Sequence, residues 1–152
     1  MSERTGDGWV DGPDGRRFWG RFGAAGLLAV DEQLRVLLQH RALFSHNGGT
    51  WGLPGGARDV DEDALAGALR EAWEEAAVPA HAVEPWFEHV VDHGFWSYTT
   101  CVVRVIATFD AAVSDHESLE LRWVHIDEVD SYELHPGLAE EWPALRDRIR
   151  HG

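Results

Sequence analysis

Apolar residues in this chain gather into short runs of strand length, followed near the end by one helical stripe. Residues 22–30 and 34–40 are nearly continuous apolar stretches separated by Asp31-Glu32-Gln33, the pattern of two buried strands with a tight connection. After a polar loop at 44–50, residues 51–53 form a third short run, stopped by Pro54-Gly55-Gly56, a turn signal with positive φ available at either glycine. A helix is predicted over 62–76, with Asp61 as N-cap and Glu62 and Asp63 in a first turn that favours negative charge. Two more strands are predicted at 85–92 and 96–109, hinged at His93-Gly94. A loop at 114–120 then leads into a strand at 121–126. Beyond Pro136-Gly137, Leu138, Trp142, Leu145 and Ile149 recur at helical spacing and predict an amphipathic closing helix. Residues 1–18 read as a loose arm or short edge strand and 19–152 as a single domain. Strands interleaved with two helices predict an α/β class, a mixed sheet between helices.

Within the first helix, Arg70-Glu71-x-x-Glu74-Glu75 changes the picture from fold to chemistry. At about 100° per residue, Glu74 and Glu75 fall within roughly 60° on either side of Glu71. Leu65, Leu69, Ala72, Trp73 and Ala76 occupy the opposite half, which is therefore expected to be buried. Like charges at these spacings destabilise a bare helix by about 0.2–0.5 kcal/mol per pair. A hard divalent cation with oxygen ligands would offset that repulsion. A charged face is more commonly just solvated, so the carboxylates alone do not decide the matter. Asp59-x-Asp61-x-Asp63 also imitates the start of an EF-hand. That reading fails, because Ala64 replaces the required glycine and Arg70 replaces the twelfth-position glutamate.

The surrounding spacing decides. Gly56, Glu62, Arg70, Glu71, Glu74, Glu75 and Val78 fit the pattern G-x5-E-x7-R-E-U-x-E-E-x-G-U, with U apolar, so the segment resembles the Nudix box of MutT-like pyrophosphohydrolases. Ala77 stands where that pattern has glycine, and Ala72 is small for its apolar position. The resemblance implies an α/β/α Nudix sandwich and hydrolysis of a small nucleoside-diphosphate derivative, with an NTP or dNTP as first substrate and a nucleotide sugar or ADP-ribose as second. It implies Mg²⁺ or Mn²⁺ on Glu71, Glu74 and Glu75 with the carbonyl of Gly55. Arg70 would orient a glutamate rather than touch substrate, and Glu62 would support the loop or bind a water next to the metal ligands. The general base is not one universal position in this family, so Glu71, Glu75 or a loop glutamate, Glu117 or Glu120, could serve. Glu120 is the preferred extra ligand or base. A Nudix-fold sensor that binds a nucleotide without hydrolysing it is the alternative, although such proteins typically have damaged boxes. A homodimer is also plausible by family resemblance.

Substrate choice is less legible. Trp19, Phe22, Trp51, Phe95, Trp96 and Tyr98 could stack a base, with core packing the commoner use of such residues. His40, Arg41 and His46 could meet phosphates, with an ordinary polar loop the commoner reading. MutT enzymes read an oxidised guanine with an asparagine near the last helix. His135-Pro136-Gly137 stands there instead, which argues against 8-oxo-dGTP. Pro85 is too near the box, and Tyr98 too far, to serve as the markers of ADP-ribose or diadenosine-polyphosphate subfamilies.

Composition sets outer limits. The net charge is −14, with thirteen arginines and no lysine. Such a chain repels nucleic-acid polymers, and the missing lysine excludes Schiff-base and P-loop chemistry. A phosphate substrate needs cations, arginines and backbone amides to reverse the local sign. Cys101 is alone in a β-branched run, so it reads as a core thiol with no disulfide framework. No apolar stretch is long enough to span a bilayer. The N-terminus lacks the build of a secretory leader, so a cytoplasmic location is expected.

Overall fold

The computed structural model describes residues 6–43, 47–114 and 118–152. A small antiparallel hairpin comes first, β1 (Trp9–Asp11) with β2 (Arg17–Trp19). The main sheet contains β3 (Ala24–Val30), β4 (Arg35–Arg41), β5 (Trp51–Gly52), β6 (Gly55–Ala57), β7 (Val83–Asp92), β8 (Ser97–Val105) and β9 (Ser118–His125). Its order is β5-β4-β3-β8-β7, with β6 also paired to β3 and β9 to β4. The β3–β8 pair is parallel and the others are antiparallel, so the sheet is mixed. Every residue of β3 is buried, as expected for a central strand covered on both faces.

Helix α1 (Ala64–Ala76) covers one face and α2 (Pro136–His151) the other. Ala64, Ala68, Ala72 and Ala76 of α1 pack on Ala25, Leu27 and Ala29. Leu138, Trp142, Leu145 and Ile149 of α2 pack on Leu28, Val30, Val36, Leu38, Val102 and Val124. The mixed sheet between helices agrees with the expected α/β/α sandwich.

Several local expectations are corrected. The buried seam of α1 is an i, i+4 row of alanines centred roughly 80° from Glu71, at about 100° per residue. Trp73 is therefore 59% exposed, Leu65 and Leu69 are only partly buried, and Glu75 is drawn into the seam. Small residues let the helix approach the sheet closely, which large side chains on that arc would prevent. The helix also begins later than predicted. Asp63, not Asp61, is the N-cap, accepting from the Ala66 amide at 2.7 Å. Glu62 stays outside because the Arg58 guanidinium holds its carbonyl (2.9 and 3.1 Å), while Asp61 takes a left-handed turn conformation (φ 64°). Gly55 and Gly56 do not adopt positive φ. They extend as β6, and glycine is needed at Gly55 because an added Cβ would lie 2.4 Å from the Ala25 carbonyl oxygen. β9 begins at Ser118 inside the predicted loop, and β8 ends at Val105, short of residue 109.

Ala77 ends α1 in the left-handed region (φ 55°, ψ 35°), its amide bonded back to Trp73 and that of Val78 to Ala72. The glycine of the box pattern suits this position, since a Cβ there costs about 1–2 kcal/mol. Glycine's greater unfolded-state entropy offsets about 0.4–1 kcal/mol of that. Ala77→Gly is therefore expected to stabilise the chain by roughly 0.5–1 kcal/mol; an unchanged or lower melting temperature in thermal denaturation would contradict it.

Candidate active site

The site grows from β6, paired antiparallel to β3, and from α1 between its second turn and its C-terminal end. Arg70 is its electrostatic hub. Its Nε and Nη2 donate to Glu62 Oε2 and Oε1, both at 2.9 Å, a bidentate pair. Nη1 donates to Glu71 Oε1 at 3.0 Å and lies 3.7 Å from Glu74 Oε2, while Nη2 also donates to the Ala57 carbonyl at 3.1 Å and lies 3.7 Å from Asp59 Oδ2. The Arg70 bond holds the Glu62 carboxyl below its ordinary range, assisted by the Asp59 amide donating to Glu62 Oε1 at 2.9 Å. Glu62 in turn keeps Arg70 protonated. Arg70 thus bonds two of the box glutamates, and Glu62 is tied to the Asp59 amide of the loop before α1.

Glu71 turns its carboxylate towards Gly56. A Cβ on Gly56 would sit 2.8 Å from Glu71 Oε1, so the glycine is a space requirement at the site. Glu74 is the outermost member, with 53% of its side chain exposed. Glu75 is the innermost, only 3% exposed. Its Oε2 accepts from the Gly55 amide at 2.9 Å and its Oε1 from Gln39 Nε2 at 3.2 Å. Gln39 was not singled out from the sequence. The clue was present: Gln39 follows Leu37 at strand spacing, so a polar residue occupies a position where the alternation demands an apolar one.

Glu120 is not brought to this group. It lies in β9 opposite His40, and its carboxylate is bonded to the Arg122 guanidinium at 2.6 Å. Strand alternation turns it to the α2 side with Val124, whereas Gln39 and Glu75 lie on the α1 side. Glu117 and His46 lie outside the described residues. Trp51 is buried, stacked on His40 at 4.4 Å with Arg122 and Tyr132 also against it, so its ring is already engaged. His40 Nε2 donates to the Gly49 carbonyl (3.0 Å), which fixes its tautomer. Tyr98 reaches over Gly26, where its hydroxyl takes the place a Cβ would fill. Burial, reinforced by the charge of Glu75, raises its pKa and keeps it protonated. Trp19, Phe22 and Phe95 stay partly exposed, and Trp96 Nε1 donates to the Trp19 carbonyl at the hairpin. Burial pushes the Cys101 thiol up to about 12, which makes it an inert core group.

Among the described residues no three histidine, cysteine or acidic side chains already converge as a cation cage. The donor set nonetheless fits a hard cation. Four carboxylates surround the single guanidinium of Arg70, a strong local excess of negative charge, and all are oxygen donors. The missing Cβ of Gly56 lets the Glu71 carboxylate lie directly against the β6 backbone, which places one oxygen donor of the set.

Comparisons with known proteins identify the family of this sandwich and its carboxylate-lined helix. The NUDIX domain pattern matches residues 20–147. The chain is 49% identical over 151 residues to the Mycobacterium tuberculosis protein named "Putative 8-oxo-dGTP diphosphatase 3", covering 93% of this chain and 69% of that protein. It is 40% identical to a nucleoside triphosphate pyrophosphatase/Nudix hydrolase fusion protein of Bifidobacterium longum, over 96% of this chain and 32% of the fusion. The crystal structure of RenU, a Nudix hydrolase from M. smegmatis, superposes with a TM-score of 0.87 at 43% identity, covering 96% of each chain. The chain belongs to the Nudix family and is a Nudix hydrolase. Enzymes of this family act on small nucleotide substrates and generally use a divalent metal. Among the described residues no helix is long and apolar enough to cross a membrane.

Proposed function

We propose that this enzyme hydrolyses the diphosphate linkage of a nucleoside triphosphate, ordinary or base-modified, to a nucleoside monophosphate and pyrophosphate. The observation that carries the reading is the complete acidic set around Arg70, with Glu71 packed against Gly56 and Glu75 locked to the Gly55 amide. Mg²⁺ or Mn²⁺ would be held by Glu71, Glu74 and Glu75 with the carbonyl of Gly55. Glu120, paired with Arg122, stands outside this set. When bound, such an ion supplies charge neutralisation at the diphosphate oxygens and a lowered pKa for nearby water.

The chain's own residues do the rest. Arg70 holds Glu62 and Glu71 in place and reduces the repulsion within the cluster. Glu71 or Glu75 accepts the proton of the attacking water. Oxygen of that water bonds to phosphorus, the bridging P–O bond breaks, and the leaving pyrophosphate takes the electron pair.

An oxidised guanine triphosphate is the first compound to test, because the M. tuberculosis relative is named for it. The absent asparagine near the last helix argued against it. Yet Asn47, from the loop after β4, brings its side-chain amide 3.2 Å from His135 Nε2 at the start of α2. ADP-ribose and nucleotide sugars are the second class. A comparison of kcat/KM for 8-oxo-dGTP, the ordinary dNTPs, ADP-ribose and nucleotide sugars tests the proposal. Preference for a triphosphate supports it; preference for ADP-ribose or a sugar nucleotide overturns the substrate class.

Gly56→Ala is expected to lower turnover about 10–100-fold, the usual effect of disturbing the support of a metal ligand, because the new methyl displaces the Glu71 carboxylate. The fold should persist in a circular-dichroism melt. Turnover equal to wild type would mean that the position of Glu71 does not matter.

A further inference from the structure

We propose that Gln39 is a positioning residue for Glu75, holding one carboxylate oxygen while the Gly55 amide holds the other. The inference rests on the hydrolase reading above and adds a member to that site from a different strand. Gln39 is 1% exposed on β4, and a buried amide there is costly unless it is bonded. Its Nε2 donates to Glu75 Oε1 at 3.2 Å and to Ser118 Oγ at 2.6 Å. Ser118 reaches it through an irregularity of the sheet: the β4–β9 register shifts between His40 and Arg41, so that Ser118 pairs with Arg41 and Leu119 is thrown outwards. Such a bulge re-aims a side chain, and here it aims a hydroxyl at the Gln39 amide.

The chemistry fixes the orientation of that amide. Reversed, it would set its own carbonyl oxygen against Glu75 Oε1, two acceptors at hydrogen-bond distance, whereas the Ser118 hydroxyl can serve either end. With Oε2 on the Gly55 amide and Oε1 on Gln39, rotation of the Glu75 carboxylate is frozen. Its remaining lone pairs are then directed without reorganisation at the moment of reaction, which is how supporting contacts tune a metal ligand.

The test pairs Gln39→Met, which keeps the length but removes the donor, with Ser118→Ala, which removes the anchor of the amide. Two readouts are taken: kcat and KM for a dNTP with saturating Mg²⁺, and the Mg²⁺ concentration that half-saturates the thermal stabilisation of the nucleotide-free protein. Gln39→Met is expected to lose about 10–100-fold in kcat with KM little changed, and to raise the Mg²⁺ midpoint. Ser118→Ala should move both in the same direction by less. Wild-type kcat and midpoint in both variants overturn the proposal, as does a loss that appears only as a higher KM or lower melting temperature. If Gln39→Met does not fold, Ser118→Ala decides by the same criteria. If wild-type protein hydrolyses no nucleotide, the hydrolase reading fails, and the Mg²⁺ midpoint alone decides for Gln39. A wild-type protein whose melting ignores Mg²⁺ overturns the positioning role as well.

Discussion

Glu75→Gln is expected to lower turnover by about 10³-fold, in the range typical for loss of a proton-transferring or charge-bearing group, while leaving the fold intact. The carboxylate is buried and tied through both oxygens, to the Gly55 amide and to Gln39. Glutamine keeps the length and one acceptor, so the bond from Gly55 can survive. Its new amide protons would face Nε2 of Gln39, but that amide can reverse because Ser118 accepts or donates equally well. What is lost is the negative charge, and with it a ligand or base. Steady-state assay with a circular-dichroism melt checks both halves. Near-normal turnover would remove Glu75 from the mechanism, and an unfolded variant would show that the charge is structural.

Arg70→Ala should act through electrostatics, at a cost of about 1–3 kcal/mol for the lost charge-assisted hydrogen bonds. The magnitude stays modest because the guanidinium is 31% exposed and partly screened. Without it, Glu62, Glu71, Glu74 and Asp59 face one another with no common counter-ion. Mg²⁺ should then raise the melting temperature more in the variant than in the wild type; an equal response would argue against a cation at this cluster. The pH dependence has a definite sign. Glu62 is lowered from its ordinary value of 4.5 chiefly by Arg70, so the stability it contributes is fully present above 4.5 and is lost as pH falls through its lower folded value. The gap between wild type and Arg70→Ala should therefore be constant at neutral pH and narrow in acid. A gap that widens in acid would contradict the pairing.

The parts of this molecule legible in its sequence are those governed by spacing along one element. The single helix carrying Glu71, Glu74 and Glu75, the apolar run of β3 and the Leu138–Trp142–Leu145–Ile149 stripe follow from periodicity and are present in the structure, although Glu75 is turned into the buried seam. What spacing could not convey is how closely elements approach. Trp73 and Leu69 look like the core of α1 by size, yet the row packed on β3 is built of alanines, with Leu69 at its margin and Trp73 exposed. Asp61 reads as the N-cap by sequence, but Arg58 claims the Glu62 carbonyl from outside the helix and Asp63 takes the capping place. Gln39 meets Glu75 across 36 residues of chain and Ser118 across 79, the latter through a bulge that nothing in the local pattern announces. Glu120 is the converse, adjacent by sequence logic yet carried by strand alternation to the other side of the sheet.

The central claim, that the Arg70 carboxylate cluster and a divalent cation split a nucleoside triphosphate at its diphosphate linkage, is tested most directly by mass analysis of the products from a dNTP. The wild-type enzyme would be run with Mg²⁺ and again with EDTA. The account predicts nucleoside monophosphate and pyrophosphate with the metal and neither product with EDTA. Release of orthophosphate and a nucleoside diphosphate, or hydrolysis that EDTA leaves untouched, would contradict it.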